Sequence, residues 1–160
     1  MTTPPLSRTA SKTESPGTQP NRVLVQWHGD RRFDVGRHEG HVARVDGDAV
    51  TGPSPVDALL GALASCVSVD VVDILAKRRT PASTFEVEVV GVRANAVPRR
   101  LTHVTLNFHI AGEGIEREQA ERAIDLAITK YCSVRDSLDP NLPVEWTLDL
   151  STAPTLRPTE

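Results

Sequence analysis

The stretch from Ser54 to Arg79 constrains the fold more than any other part of the chain, because it reads as a helix without a polar side. Ser54 can accept from the first-turn amides, Pro55 suits the first helical position, and Asp57 completes a capping-box pattern at the positive end of the helix dipole. Beyond that start, Leu59, Leu60, Leu63, Val67, Val69, Val71, Val72, Ile74 and Leu75 fall on nearly every side. A helix apolar all round is buried all round. In a chain of 160 residues that requires a sheet wrapped around it or a second subunit against it. The helix is expected to end near Arg79, ahead of Thr80-Pro81. Its longest uncharged apolar run, Ala58 to Val69, is twelve residues, short of the ~20 that span a bilayer.

The rest of the chain supplies strands. Val23, Val25 and Trp27 alternate, His28-Gly-Asp turns the chain, and further strands follow around Arg31-Arg-Phe-Asp-Val and Gly40-His-Val-Ala-Arg-Val. Phe85-Glu-Val-Glu-Val-Val-Gly-Val and Leu101-Thr-His-Val-Thr-Leu-Asn-Phe-His-Ile are two longer ones. A second helix begins near Ile115 to Arg117 and carries Ala120, Ile124, Ala127, Ile128 and Tyr131 at helical spacing, with Cys132 in its last turn and Tyr131 in the core. Val144-Glu-Trp-Thr-Leu-Asp-Leu closes the chain as a strand. The order βββ-α-ββ-α-β is an α+β fold with antiparallel sheets around two core helices. Aromatic residues make up only 4%, so aliphatic packing must build the core, and full burial of the first helix points to an intimate homodimer. Residues 1–20, with four prolines, read as a flexible tail, 21–152 as one domain, and 153–160 as a loose end.

Net charge excludes some partners. At −3 the chain has no field to gather nucleic acid or an anionic membrane. The N-terminus lacks the basic and apolar regions of a secretory signal, so a cytoplasmic protein is expected, where a permanent structural disulfide is unusual. The five histidines are scattered and neither cysteine lies in a zinc-type spacing, so no metal site is expected.

The two cysteines stand 66 residues apart, each inside a predicted core element. Buried cysteines serve most often as small apolar fillers. The other reading is a pair that cycles between dithiol and disulfide. The segments around them decide how the chain is placed. Gly52-Pro-Ser-Pro-Val-Asp-Ala-Leu-Leu-Gly-Ala-Leu-Ala-Ser-Cys, the continuation Val71-Val-Asp-Ile-Leu, and Lys130-Tyr-Cys-Ser-Val after the second helix resemble those of the OsmC/Ohr family, the osmotically inducible and organic hydroperoxide resistance proteins. The resemblance spans roughly Val23 to Leu150.

The resemblance implies an intertwined homodimer with active sites at the subunit interface, and thiol-dependent reduction of organic hydroperoxides without metal or flavin. By position Cys66 matches the peroxidatic cysteine and Cys132 the resolving one, with an external dithiol as reductant. An arginine from the N-terminal meander activates the thiolate in peroxidase members; here Arg31 and Arg32 are the candidates, ahead of Arg37 and Arg44. Those members also carry a glutamate directly after the helix-opening proline, where this chain has Val56. Asp57, nine residues before Cys66, lies on the opposite helix face at ~100° per residue, and helix capping accounts for it better. Asp70 and Asp73 share the face of Cys66. Leu59, Leu63 and Val67 would give the substrate an apolar wall. The alternative reading is a non-enzymatic dimer that holds a small apolar or thiol-reactive ligand, with the cysteines as redox sensors.

Overall fold

The structure, a computed structural model, describes residues 20–152; the expected tail, apart from Pro20, and the expected loose end lie outside the described residues. Three short strands come first, β1 (Leu24–Trp27), β2 (Arg32–Gly36) and β3 (Val42–Asp46). They pair antiparallel in sequence order, with Trp27 opposite Phe33 and Arg32 opposite Asp46. The turn between β1 and β2 needs left-handed backbone at Gly29 and Asp30 (φ 84° and 48°), which glycine accepts freely and aspartate tolerates. Asp46 is buried and ties the exit from β3 together: its carboxylate accepts from the amides of Asp48 and Thr51 and from the Thr51 hydroxyl, all at 2.9 Å. Those hydrogen bonds hold its carboxyl well below the usual range, at about 2.

The long helix α1 (Pro55–Lys77) starts with the capping box read from the sequence. The Ser54 hydroxyl accepts from the Asp57 amide at 3.3 Å, and the Asp57 carboxylate accepts from the Ser54 amide at 3.0 Å. It ends in a Schellman arrangement, with Arg79 left-handed (φ 65°) and amide bonds from Thr80 to Leu75 (3.1 Å) and Arg79 to Ala76 (2.9 Å). By length and hydropathy alone this 23-residue helix could cross a membrane. Instead, Leu63, Val67, Val71 and Leu75, four residues apart on one stripe, are at most 1% exposed and form the centre of the core.

That core is closed by strands β4 (Thr84–Arg93), β5 (Leu101–Ala111) and β6 (Val144–Ser151), and by helix α2 (Arg117–Leu126). β5 is the middle strand and buries Val104, Leu106, Phe108 and Ile110 on one face, as period-two alternation requires. β4 pairs with it antiparallel, but β6 runs parallel to it, with Val104 opposite Val144. This corrects the expectation of antiparallel pairing throughout. The chain between β5 and β6 is a helical crossover, the kind of connection that allows two strands to run the same way.

Within one chain α1 is not covered on all sides, since Leu59, Val69 and Val72 are exposed, which leaves the rest of its burial to the expected second subunit. One sheet covers one face of a helix, and the N-terminal sheet touches α1 mainly through β3. A further expectation changes, in that the second helix is not continuous. After Leu126 it widens into a π-helical turn over Ala127–Tyr131, breaks at Cys132 (φ −71°, ψ 101°) and resumes as the single turn α3 (Ser133–Asp136).

Candidate functional site

Cys66 sits in the fourth turn of α1, half-buried, on the flank of the core stripe. Cys132 sits in the break after the π-helical turn. Its amide reaches back five residues to the Ala127 carbonyl at 2.9 Å, and its sulfur accepts from the Arg135 amide at 3.3 Å. A residue in a helix interior would have its Cβ fixed by the helix surface. The extended backbone at Cys132 releases it from that direction, and a π insertion is a recurrent device at functional sites. The two thiols, both free, are near enough for the Cys66 sulfur to act on the Cys132 thiol. Burial pushes the Cys132 thiol up from an ordinary 9.0 to about 11. The Arg135 amide pulls it down, and the adjacent Cys66 sulfur raises it further.

Cys132 lies on the wall of a cavity of about 540 Å³, together with Lys130, Tyr131 and Arg135. Tyr131 is exposed, not in the core as its helical spacing suggests, because the π-helical turn rotates it outward. Its ring lies 5.5 Å from the Lys130 ammonium, a cation–π contact. Arg135 was not singled out by spacing. Its guanidinium donates to the carbonyls of Asp139 (3.3 Å), Pro140 (3.4 Å) and Leu142 (3.0 Å), and among the described residues it has no carboxylate partner. The available signal was an arginine three residues after Cys132, a position that acquires meaning only once the chain breaks there.

The meander arginines are placed elsewhere. Arg31 pairs with Asp48 at 2.6 Å and Arg32 with Asp30 at 2.7 Å, while Arg44 pairs with Asp34 at 2.5 Å. Among the described residues no hydrogen bond joins Arg31 or Arg32 to either cysteine; the Arg32 Nε is buried without a partner. Asp57 is committed to the cap, and the Ser54 hydroxyl holds its carboxyl below the usual range. Leu63 and Val67 belong to the core and do not wall an open site, so only Leu59 of the three expected apolar residues faces a cavity. Ser65 and Ser68 donate to the helix carbonyls of Ala62 and Ala64 at 3.2 and 2.7 Å, as packing serines do. His28, His103 and His109 each face a carboxylate. No group of three or more metal-ligating side chains occurs among the described residues.

A thiol protein of α+β architecture is what this describes: one cysteine on the core helix, the second on a broken helix beside it. The comparisons with known proteins give the family. The family profile described as OsmC-like protein matches residues 46–147. Protein YhfA of Escherichia coli K12 is 34% identical over 114 residues, covering 71% of this chain and 85% of YhfA. A hypothetical protein from Aquifex aeolicus VF5 has a crystal structure that superposes with a TM-score of 0.71 at 24% identity, over 84% of this chain and 99% of that one. The organic hydroperoxide resistance protein OhrB of Bacillus subtilis superposes with a TM-score of 0.54 at 15% identity, over 80% of this chain and 96% of OhrB. The chain belongs to the OsmC-like family.

Proposed function

We propose that the protein is a two-cysteine thiol peroxidase that reduces organic hydroperoxides, working as a homodimer in the reducing cytoplasm. The observation that carries this reading is the nearness of two free thiols that lie 66 residues apart in sequence. The Cys66 thiolate attacks the outer peroxide oxygen, the O–O bond breaks, and the alcohol leaves with a proton, so that Cys66 becomes a sulfenic acid. Cys132 then attacks the Cys66 sulfur. A disulfide forms and the sulfenic oxygen departs as water, taking the Cys132 proton. A dithiol reductant supplies two electrons and two protons to restore both thiols. A thiol pushed up to about 11 is protonated at neutral pH, so Cys132 is the poorer candidate for the first attack, and its proton is the one the departing oxygen takes in the second step.

The homodimer is supported by the apolar surface one chain leaves open. Val25 and Trp27 on the first strand and Val23 just before it are 57–66% exposed, as is Val69 on α1 at 63%. Monomers rarely expose large contiguous apolar patches. The N-terminal sheet, lightly attached to its own chain, would deliver Arg31 or Arg32 across that interface as the activating cation. A second reading is favoured by two observations: both arginines already hold an aspartate, and Val56 stands where peroxidases of the family carry glutamate. In it the dimer binds a small apolar or thiol-reactive ligand and the cysteines report redox state.

One experiment separates the two. Reduced protein receives one equivalent of cumene hydroperoxide, and intact mass is read after alkylation. The peroxidase gives rapid loss of both free thiols and a mass lighter by two hydrogens. Two thiols still alkylated after long exposure would remove the peroxidase reading and leave the second.

A further inference from the structure

A second cavity, of about 250 Å³, lies beside the start of α1 and away from the cysteine sulfurs. Its floor is apolar, made by Val56, Leu59, Leu101 and Leu142. Arg99 and Arg100, from the turn between β4 and β5, and Asp139 also line it. The Asp139 carboxylate already accepts from the amide and side chain of Asn141 at 2.9 and 3.3 Å. The turn itself is held rigidly. The Arg93 Nε donates to the Arg99 carbonyl at 2.8 Å, the Arg99 Nε to the Ala94 carbonyl at 3.4 Å, and the Arg100 amide to the Pro98 carbonyl at 2.8 Å. The Arg93 charge acts on Asp57. Neither Arg99 nor Arg100 has a carboxylate partner among the described residues, and the Arg100 guanidinium has no hydrogen bond there. Two exposed cations and one carboxylate thus line the cavity together with its apolar residues.

We infer that this cavity binds an alkyl carboxylate, with the carboxylate on Arg99 and Arg100 and the chain on Val56, Leu59, Leu101 and Leu142. A planar guanidinium matches a carboxylate in two-pronged geometry. The apolar floor favours a ligand with a hydrocarbon tail over a bare inorganic anion, and the volume, just under the usual range for small-molecule sites, suits a short to medium chain. Leu138 lines both this cavity and the one at Cys132, so the two adjoin. Binding here requires no thiol chemistry.

The test is calorimetric titration of the reduced, full-length protein with hexanoate, octanoate and decanoate, with octanol and inorganic phosphate as controls. Affinity should rise about fourfold per methylene until the cavity is full, and octanol and phosphate should bind at least tenfold more weakly than octanoate. Replacing both arginines (R99Q with R100Q) should weaken octanoate by about ten- to a hundredfold, as loss of hydrogen bonds to a charged group does. Leu59→Glu, at an exposed helix position, should abolish the chain-length dependence. A protein lacking both cysteines (C66S with C132S) should bind octanoate like the parent, which keeps this test separate from that of the peroxidase. Octanol or phosphate binding as tightly as octanoate, unchanged affinity in the double arginine variant, or no heat with any carboxylate would overturn the inference.

Discussion

The raised pKa of Cys132 has a kinetic consequence that can be worked through in numbers. A shift from 9.0 to about 11 leaves ~100-fold less thiolate at neutral pH than an ordinary cysteine would have. A more basic thiolate is intrinsically more nucleophilic, and a Brønsted coefficient of about 0.4–0.5 returns roughly tenfold of that loss. Cys132 should therefore alkylate about tenfold more slowly than an unperturbed thiol, with burial at 3% exposure slowing it further. The assay is iodoacetamide labelling from pH 7 to 11, with each cysteine quantified by peptide mass spectrometry. Cys132 should gain about tenfold in rate per pH unit and bend only near pH 11. In Cys66→Ala the bend should move down, because the neighbouring sulfur is one of the causes that raise it, yet stay above 9 because burial is the largest. A bend at or below pH 9 in the parent would refute the reasoning, and an unmoved bend in Cys66→Ala would refute the nearness of the two thiols. The stability linkage has a definite sign. A thiol whose folded pKa is raised favours the folded state below pH 9, and that contribution fades as pH rises from 9 toward 11.

Four shorter expectations accompany it. Val25→Glu combined with Trp27→Glu, on the exposed first strand, should convert a dimer to a monomer by light scattering; an unchanged mass would remove that strand from the interface. Phe108→Ala empties a fully buried position between β4 and β6 and should cost ~3–5 kcal/mol in denaturant unfolding. Arg79→Gly relieves a left-handed backbone at φ 65° and should stabilise by ~1 kcal/mol; a loss would mean the arginine side chain has a role. Asp46, held at about 2, contributes stability above pH 3.8 that is lost as pH falls toward 2, so Asp46→Asn should flatten the acid unfolding profile in that window.

The parts of the fold legible in sequence are those set by local pattern. The Ser54-Pro55-Asp57 start produced the capping box residue for residue, and the alternation in Leu101–Ile110 matched the buried face of β5. Two features were illegible for a physical reason. A π-helical turn costs one hydrogen bond in register and leaves the apolar spacing of Ala120, Ile124, Ala127 and Ile128 intact, so periodicity reads straight through to Cys132. Strand direction at β6 depends on where the crossover returns the chain, and Val144–Leu150 alternates identically either way. Arg135 stayed hidden behind the first of these, since its carbonyl partners at 139–142 come together only after the break.

The break at Cys132 also explains why the two cysteines are not interchangeable. Cys66 is carried by a continuous helix packed on its core side by Leu63, Val67 and Val71. Cys132 sits where backbone hydrogen bonding has been loosened and re-formed through its own sulfur and the Arg135 amide. Closing a disulfide requires the Cα atoms to come within the narrow range of bond geometry, and the movement falls on the side with fewer fixed contacts. The single turn α3 has no buried side chain, although Arg135 ties it to the carbonyls of Asp139, Pro140 and Leu142. Under the proposed peroxidase reading, the helix-held Cys66 would be the thiol that meets substrate, and Cys132, at the break, the one that follows it.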